Sequence, residues 1–151
     1  MKFKLINKEI RVFAPATIAN VGCGFDIFGL SLNNPGDELY LKVTEKPGIK
    51  IKSHSNSVKL SDEVDKNTAS VSIKALLEYI NADFGVEIEL FKNIPVGGGL
   101  GSSAASAVAS VFALNCLLDT KISNEKLLKF ALEGEMITSG EIGRASCRER
   151  V

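Results

Sequence analysis

The chain has 151 residues, the size of one ordinary domain, and 45% of them are hydrophobic, enough to bury a core. Lysine plus arginine and aspartate plus glutamate both number 18, so no net field draws the protein toward nucleic acid or anionic lipid. No apolar run approaches the roughly 18 residues of a membrane span, and the opening MKFKLINKEI lacks the apolar stretch of a signal peptide, so a cytoplasmic protein without a membrane partner is expected. Cys23, Cys116 and Cys147 lack paired metal-ligand spacing and read as ordinary thiols.

Ile10 to Ala14 predict a strand that runs into PATIANVGCGFDIFGLSL, where Pro15, Gly22 and Gly24 predict an irregular loop able to present polar residues to a ligand. Leu39, Leu41 and Val43 alternate with Tyr40, Lys42 and Thr44, and Lys46-Pro47-Gly48 turns the chain into Ile49 and Ile51, which predicts a hairpin. Ser53 to Lys66 are polar and read as loop; His54 within them, the single histidine, has no evident partner and reads as exposed. Ala69, Ile73, Leu76, Leu77 and Ile80 recur at helical spacing, which predicts a helix over Thr68 to Ala82. Val86, Ile88 and Leu90 alternate with Glu87, Glu89 and Phe91, the pattern of a strand with one buried face. Ala104 to Leu118 contain neither glycine nor proline and predict a helix opened by Ser102 and Ser103, and Ser123 is a natural N-cap for a last helix through Lys126 to Met136.

Between the strand and the serines stands PVGGGLGSSAAS, Pro95 to Ser106. Glycine contributes no packing and raises the entropy cost of folding, so such a cluster is tolerated where the backbone turns sharply or approaches something closely. A strand, a glycine loop and a helix in that order make a concavity of unpaired N–H groups at a positive helix end, a place that binds phosphate. A Walker A loop would need a lysine after its last glycine, and Gly101 is followed by Ser102-Ser103. A dinucleotide fingerprint fits only loosely through Gly99, Gly101 and Ala104, and its acidic residue should end a second strand, whereas Asp119 follows a helix directly.

The string P-x-G-x-G-L-G-S-S-A-A resembles the phosphate loop of the GHMP small-molecule kinases. APATIANVGCGFDIFGLSL, Ala14 to Leu32, resembles the amino-terminal motif of the homoserine kinase branch, and ALEGEMITSG, Ala131 to Gly140, resembles its post-loop helix. The resemblance covers residues 10 to 141 in order. It implies an α+β fold of the GHMP kinase amino-terminal type: a mixed sheet packed on helices with a left-handed βαβ crossover. It also implies that the rest of this domain and a second, ferredoxin-like domain lie outside the chain, so that residues 1–141 are an incomplete ATP-binding domain. The implied activity is transfer of the γ-phosphoryl of ATP to the side-chain hydroxyl of L-homoserine, a step toward threonine, with Mg²⁺ as cofactor. A homodimer is compatible with the full-length enzyme.

The resemblance assigns the ATP phosphates to the loop, Pro95, Gly97, Gly98, Gly99, Leu100, Gly101, Ser102 and Ser103. It gives Mg²⁺ the Ser103 hydroxyl and the Glu135 carboxylate, a minimal protein set for that ion. Without the resemblance, Ser103 reads as an N-terminal helix cap and Glu135 as part of a solvated helix face. Asn20 and Asp26 fall where the family holds its amino-acid substrate, with Asp26 suited to the ammonium, although both residue types favour loops in any case. Asn67 matches a position near the adenine and is equally an N-cap. No residue has the look of a dedicated general base, which phosphoryl transfer tolerates because it depends on positioning and charge neutralisation.

The end of the chain departs from the pattern. Three of the four arginines fall within the last eight residues, and EIGRASCRERV resembles the in-frame translation of a widely used DNA sequencing adapter, so residues 142–151 read as a non-native tail. Gly143 stands where the family pattern would continue toward a histidine and an Asp-Asn pair, and the fragment alone is expected to be inactive. The alternatives are a sister kinase acting on mevalonate or a sugar and, more remotely, a nucleic-acid-binding α+β module, against which the neutral charge and the lack of a basic aromatic patch argue.

Overall fold

The computed structural model describes residues 3–19, 21–24, 27–55 and 60–139. Strands β1 (Glu9–Ala19), β2 (Gly29–Thr44), β3 (Ile49–Ser55) and β4 (Gly85–Lys92) form one mixed sheet in the order β1-β2-β4-β3. Helices α1 (Thr68–Tyr79), α2 (Ser102–Leu117) and α3 (Asn124–Ser139) complete an α+β fold. β2 is antiparallel to both β1 and β4, and β3 is parallel to β4, so α1 is the crossover of a β3–α1–β4 unit.

Alternation sets which face of the sheet is buried. Leu39 and Leu41 of β2, Ile88 and Leu90 of β4 and Ile51 of β3 form one core with Ile73 and Leu76 of α1 and Val111 and Leu114 of α2. A slip of one residue in any of these strands would turn its apolar set outward, so burial fixes the register. The opposite face carries the charged phase of the same strands, including the Lys50–Glu87 and Arg11–Glu38 ion pairs.

Three expectations need correction. Pro15 to Ala19 are not loop but a continuation of β1: the ladder shifts register between Pro15 and Thr17, where proline has no N–H to donate, and resumes as Thr17 to Ala19 pair with Gly29 to Ser31. The hairpin expected across Lys46-Pro47-Gly48 does not form, because β4 lies between β2 and β3. Gly85 lets it enter: a Cβ there would overlap the carbonyls of Lys46 and Gly48, and the next residue, Val86, donates its N–H to the Gly48 carbonyl at 2.9 Å. His54 is neither in a loop nor without a partner; it belongs to β3, opposite Phe91 of β4, and its ring stacks on that phenyl with centroids 4.8 Å apart.

α3 packs on α1 and α2, and its approach to α1 is close. A Cβ at Gly134 would overlap the Ser72 hydroxyl and the Thr68 carbonyl, and Ser72 Oγ donates to the Ala131 carbonyl at 3.3 Å. That approach brings Glu135, the residue after this glycine, beside the first turn of α2.

Candidate functional site

β4 ends at Lys92, and the chain returns as α2 at Ser102. In the intervening loop Gly97, Gly99 and Gly101 adopt φ of 78°, 70° and 67°, a left-handed backbone that strains any other residue. A Cβ at Gly97 or Gly99 would meet nothing within 4 Å, so these two turn in open space. Gly101 has a second constraint, since a Cβ there would overlap the Thr17 hydroxyl, and the Thr17 N–H donates to the Leu100 carbonyl at 3.0 Å. The glycine loop therefore leans on the first β-strand, and the two motifs that stand about 80 residues apart in sequence meet in space.

Gly101 is also the N-cap of α2 and has no side chain with which to cap it. The first intrahelical bond runs from the Ala105 N–H to the Gly101 carbonyl, 2.9 Å, so the N–H groups of Ser102, Ser103 and Ala104 have no acceptor within the helix. Three donors at the positive end of a helix dipole, beside an open loop, suit an anion of phosphate size.

The two serines do different things. Ser102 is buried; its hydroxyl turns back to the Ile94 carbonyl at 3.4 Å and closes the base of the loop. Ser103 is half-buried and points toward α3, where its hydroxyl donates to Glu135 Oε2 at 3.2 Å. Cis oxygens around an octahedral Mg²⁺ stand about 3 Å apart for bonds of about 2.1 Å, so the separation of this hydroxyl and carboxylate matches that of two neighbouring ligands of such an ion. Burial pushes the Glu135 carboxyl above the ordinary glutamate range, an effect opposed by the Ser103 hydroxyl and the charge of Lys92.

A pair of buried charges lies under the loop. Lys92 Nζ is ion-paired with Asp37 and donates to the Ser102 carbonyl at 2.6 Å and to Ser106 Oγ at 2.7 Å. Asp37 Oδ1 accepts the N–H groups of Asn93 and Ile94 at 2.8 and 2.9 Å. Burial pulls the Lys92 ammonium below the usual lysine range, against the hydrogen bond and attraction of Asp37. Neither residue is among the sequence-predicted site residues. A signal was present, because Lys92 continues the buried phase Val86, Ile88, Leu90, and Asp37 that of Leu39 and Leu41; a charge in a core phase asks for a buried partner.

Asn67, Ser102, Ser103, Lys92 and Ser106 line a hollow of about 110 Å³ beside the loop. Asn67 caps α1, accepting the Ala69 N–H at 3.1 Å, while its amide donates to the Ser61 carbonyl and the Ser53 hydroxyl. The cap and the place on the hollow wall coexist. A larger hollow of about 530 Å³ lies at the other end of β3 and β4, around Gly48, Leu77 and Phe84, away from the glycine loop. Of the sequence-predicted site residues, the loop from Pro95 to Ser103, Glu135 and Asn67 gather at one place; Asn20 and Asp26, and the tail 142–151, lie outside the described residues.

The sequence matches the family model of the GHMP kinases N terminal domain over residues 67–145, and the chain belongs to that family. Among curated proteins it is 40% identical over 134 residues to the homoserine kinase of Xanthomonas campestris pv. campestris (strain B100), covering 88% of this chain and 42% of the relative. It is 41% identical over 133 residues to the homoserine kinase of Methanococcus maripaludis (strain C5), covering 88% and 44%. The chain thus spans less than half the length of these curated relatives. Among solved structures, homoserine kinase from Cytophaga hutchinsonii superposes with a TM-score of 0.83 at 47% identity over 93% of this chain and 45% of that one. Mevalonate kinase from a methicillin-resistant Staphylococcus aureus, at 20% identity and a TM-score of 0.64 over 89% of this chain and 47% of that one, shares the fold.

Proposed function

We propose that this chain is the nucleotide-binding part of a homoserine kinase, which transfers the γ-phosphoryl of ATP to the side-chain hydroxyl of L-homoserine in the cytoplasm, on the route to threonine. One arrangement carries the reading: a loop with three left-handed glycines ends in an uncapped helix N-terminus, with the Ser103 hydroxyl and the Glu135 carboxylate 3.2 Å apart beside it. The choice of homoserine over other alcohols is supported by relatives named homoserine kinase at 40 to 41% identity, against 20% for the mevalonate kinase.

In this reading the loop amides and the first turn of α2 hold the phosphates of ATP, and Ser103 with Glu135 holds Mg²⁺. Bound there, Mg²⁺ would supply neutralisation of charge on the phosphate oxygens. Asn20 and Asp26 hold the acceptor, Asp26 through the substrate ammonium. No side chain needs to take the acceptor proton early, because the transfer depends on alignment and charge neutralisation more than on a strong base.

The test is a phosphorylation screen over L-homoserine, mevalonate and sugars, using a chimera that joins residues 1–139 to the remaining sequence of a curated homoserine kinase. Turnover of homoserine alone is expected; preference for mevalonate or a sugar would move the chain to a sister kinase. Asp26→Asn in the same chimera should lower kcat/KM for homoserine by roughly 2–5 kcal/mol in free-energy terms, with ATP affinity unchanged. Homoserine kinetics indifferent to this substitution would remove Asp26 from the acceptor site.

A further inference from the structure

We propose that the Asp37–Lys92 ion pair is a clasp that sets the mouth of the glycine loop, holding both of its ends to one buried point. The inference rests on the reading of that loop as a phosphate cradle for its consequence, but not for its geometry. Asp37, fully buried on β2, takes the N–H groups of Asn93 and Ile94, the two residues with which the chain leaves β4. Lys92, 8% exposed, donates to the Ser102 carbonyl and the Ser106 hydroxyl, in the first two turns of the helix on which the loop lands. Asn93 adds a further tie through its amide to the Gly36 carbonyl at 3.1 Å. The loop from Val96 to Gly101 thus has both of its ends fixed by one ion pair, and between them Leu100 is tied to Thr17 of β1.

Two arguments favour a positioning role over a purely stabilising one. A buried ion pair recovers little more than the cost of removing both charges from water, and apolar residues of similar volume often serve stability as well. A cation at the first turn of a helix also has the wrong sign for the helix dipole, and the Asp37 carboxylate offsets it. What apolar residues could not reproduce is directional hydrogen bonding to four backbone and hydroxyl groups at both ends of one loop. A loop that carries three left-handed glycines has wide conformational freedom, and the clasp narrows it before any ligand arrives. The pre-set mouth leaves less ordering to be done on binding.

The experiment compares wild type with Lys92→Met, Asp37→Leu and the double variant, by amide hydrogen exchange of the 151-residue chain without ligand and by calorimetric titration of the homoserine kinase chimera with Mg²⁺ and a non-hydrolysable ATP analogue. Each single variant leaves a buried polar group without its partner and should lower Tm. The double variant removes both charges and should recover most of that Tm. It should nevertheless exchange amides 96–104 at least about tenfold faster than wild type while β4 and α1 keep their protection, and bind the analogue about tenfold more weakly. Wild-type protection of the loop in the double variant, or loosening of the loop only in step with β4 and α1, would overturn the clasp. If the loop loosens as stated but wild type itself fails to bind the analogue, the clasp stands and the phosphate reading falls. If wild type binds and the double variant binds equally well, the clasp has no functional consequence and the proposal is wrong.

Discussion

The Ser103 hydroxyl on α2 donates to the Glu135 carboxylate on α3 at 3.2 Å, across the seam between two helices that no regular secondary-structure bond joins. If both hold one Mg²⁺, they should act as a unit. Ser103→Ala and Glu135→Gln are each expected to weaken the Mg²⁺ dependence of nucleotide binding, and their double-mutant cycle to show a coupling of about 0.5–3 kcal/mol. Additive effects with unchanged Mg²⁺ titrations would leave the two residues with a structural hydrogen bond and nothing more.

Gly101→Ala should cost more than Gly97→Ala, although the two have similar φ. Each substitution places a side chain in the left-handed region, at about 1–2 kcal/mol. At Gly97 the new methyl enters open space, whereas at Gly101 it overlaps the Thr17 hydroxyl and pushes the loop off β1. Nucleotide affinity, measured by titration, should fall further for Gly101→Ala. Equal losses at both positions would mean that the contact with Thr17 is soft.

Gly134→Ala reverses the usual sign of its substitution. In a helix interior, glycine to alanine ordinarily stabilises by about 1 kcal/mol. Here the added Cβ overlaps the Ser72 hydroxyl and the Thr68 carbonyl, one of them backbone, so α3 must retreat from α1. Denaturant unfolding is expected to show a destabilisation of about 1–3 kcal/mol, the range of overpacked cores, accompanied by weaker Mg²⁺ dependence because Glu135 moves with the helix. A stabilised variant would show that α1 and α3 can separate without cost.

Glu135 also gives the metal-free protein a pH signature. Burial raises its carboxyl pKa in the folded chain, while the unfolded chain keeps about 4.3. Between those two values the folded chain binds more protons, so its stability falls as pH rises through the window and stays lower above it. Glu135→Gln removes that slope. With chelator present, the gain in Tm of Glu135→Gln over wild type should be larger at pH 7 than at pH 4; a gain that is constant or larger at pH 4 would contradict the raised pKa.

The strand–glycine loop–helix unit from Val86 to Leu117 was legible in the sequence because each of its parts obeys a local rule. Alternation of Val86, Ile88 and Leu90 marks one buried strand face, three glycines at positive φ permit the turn, and the run free of glycine and proline after Ser103 makes the helix. α1 and α3 followed for the same reason. Ser103 and Glu135, 32 positions apart, were paired only by resemblance to a family; nothing in their local spacing joins them.

Only the tertiary structure decided which strands are neighbours and what the buried charges do. A turn at Lys46-Pro47-Gly48 looks local, but whether β2 pairs with β3 depends on whether a third strand fits between them, and Gly85 makes room for β4 there. In the same way Asp37 and Lys92, 55 residues apart, each stand in the buried phase of their own strand, but neither strand names the partner until β2 and β4 pair and bring the two charges together on the inner face. Periodicity and turn chemistry act through covalent neighbours and can be read along a chain. Strand order, register and the burial of an ion pair are free energies of contact between distant segments, and they take a value only once the chain has closed on itself.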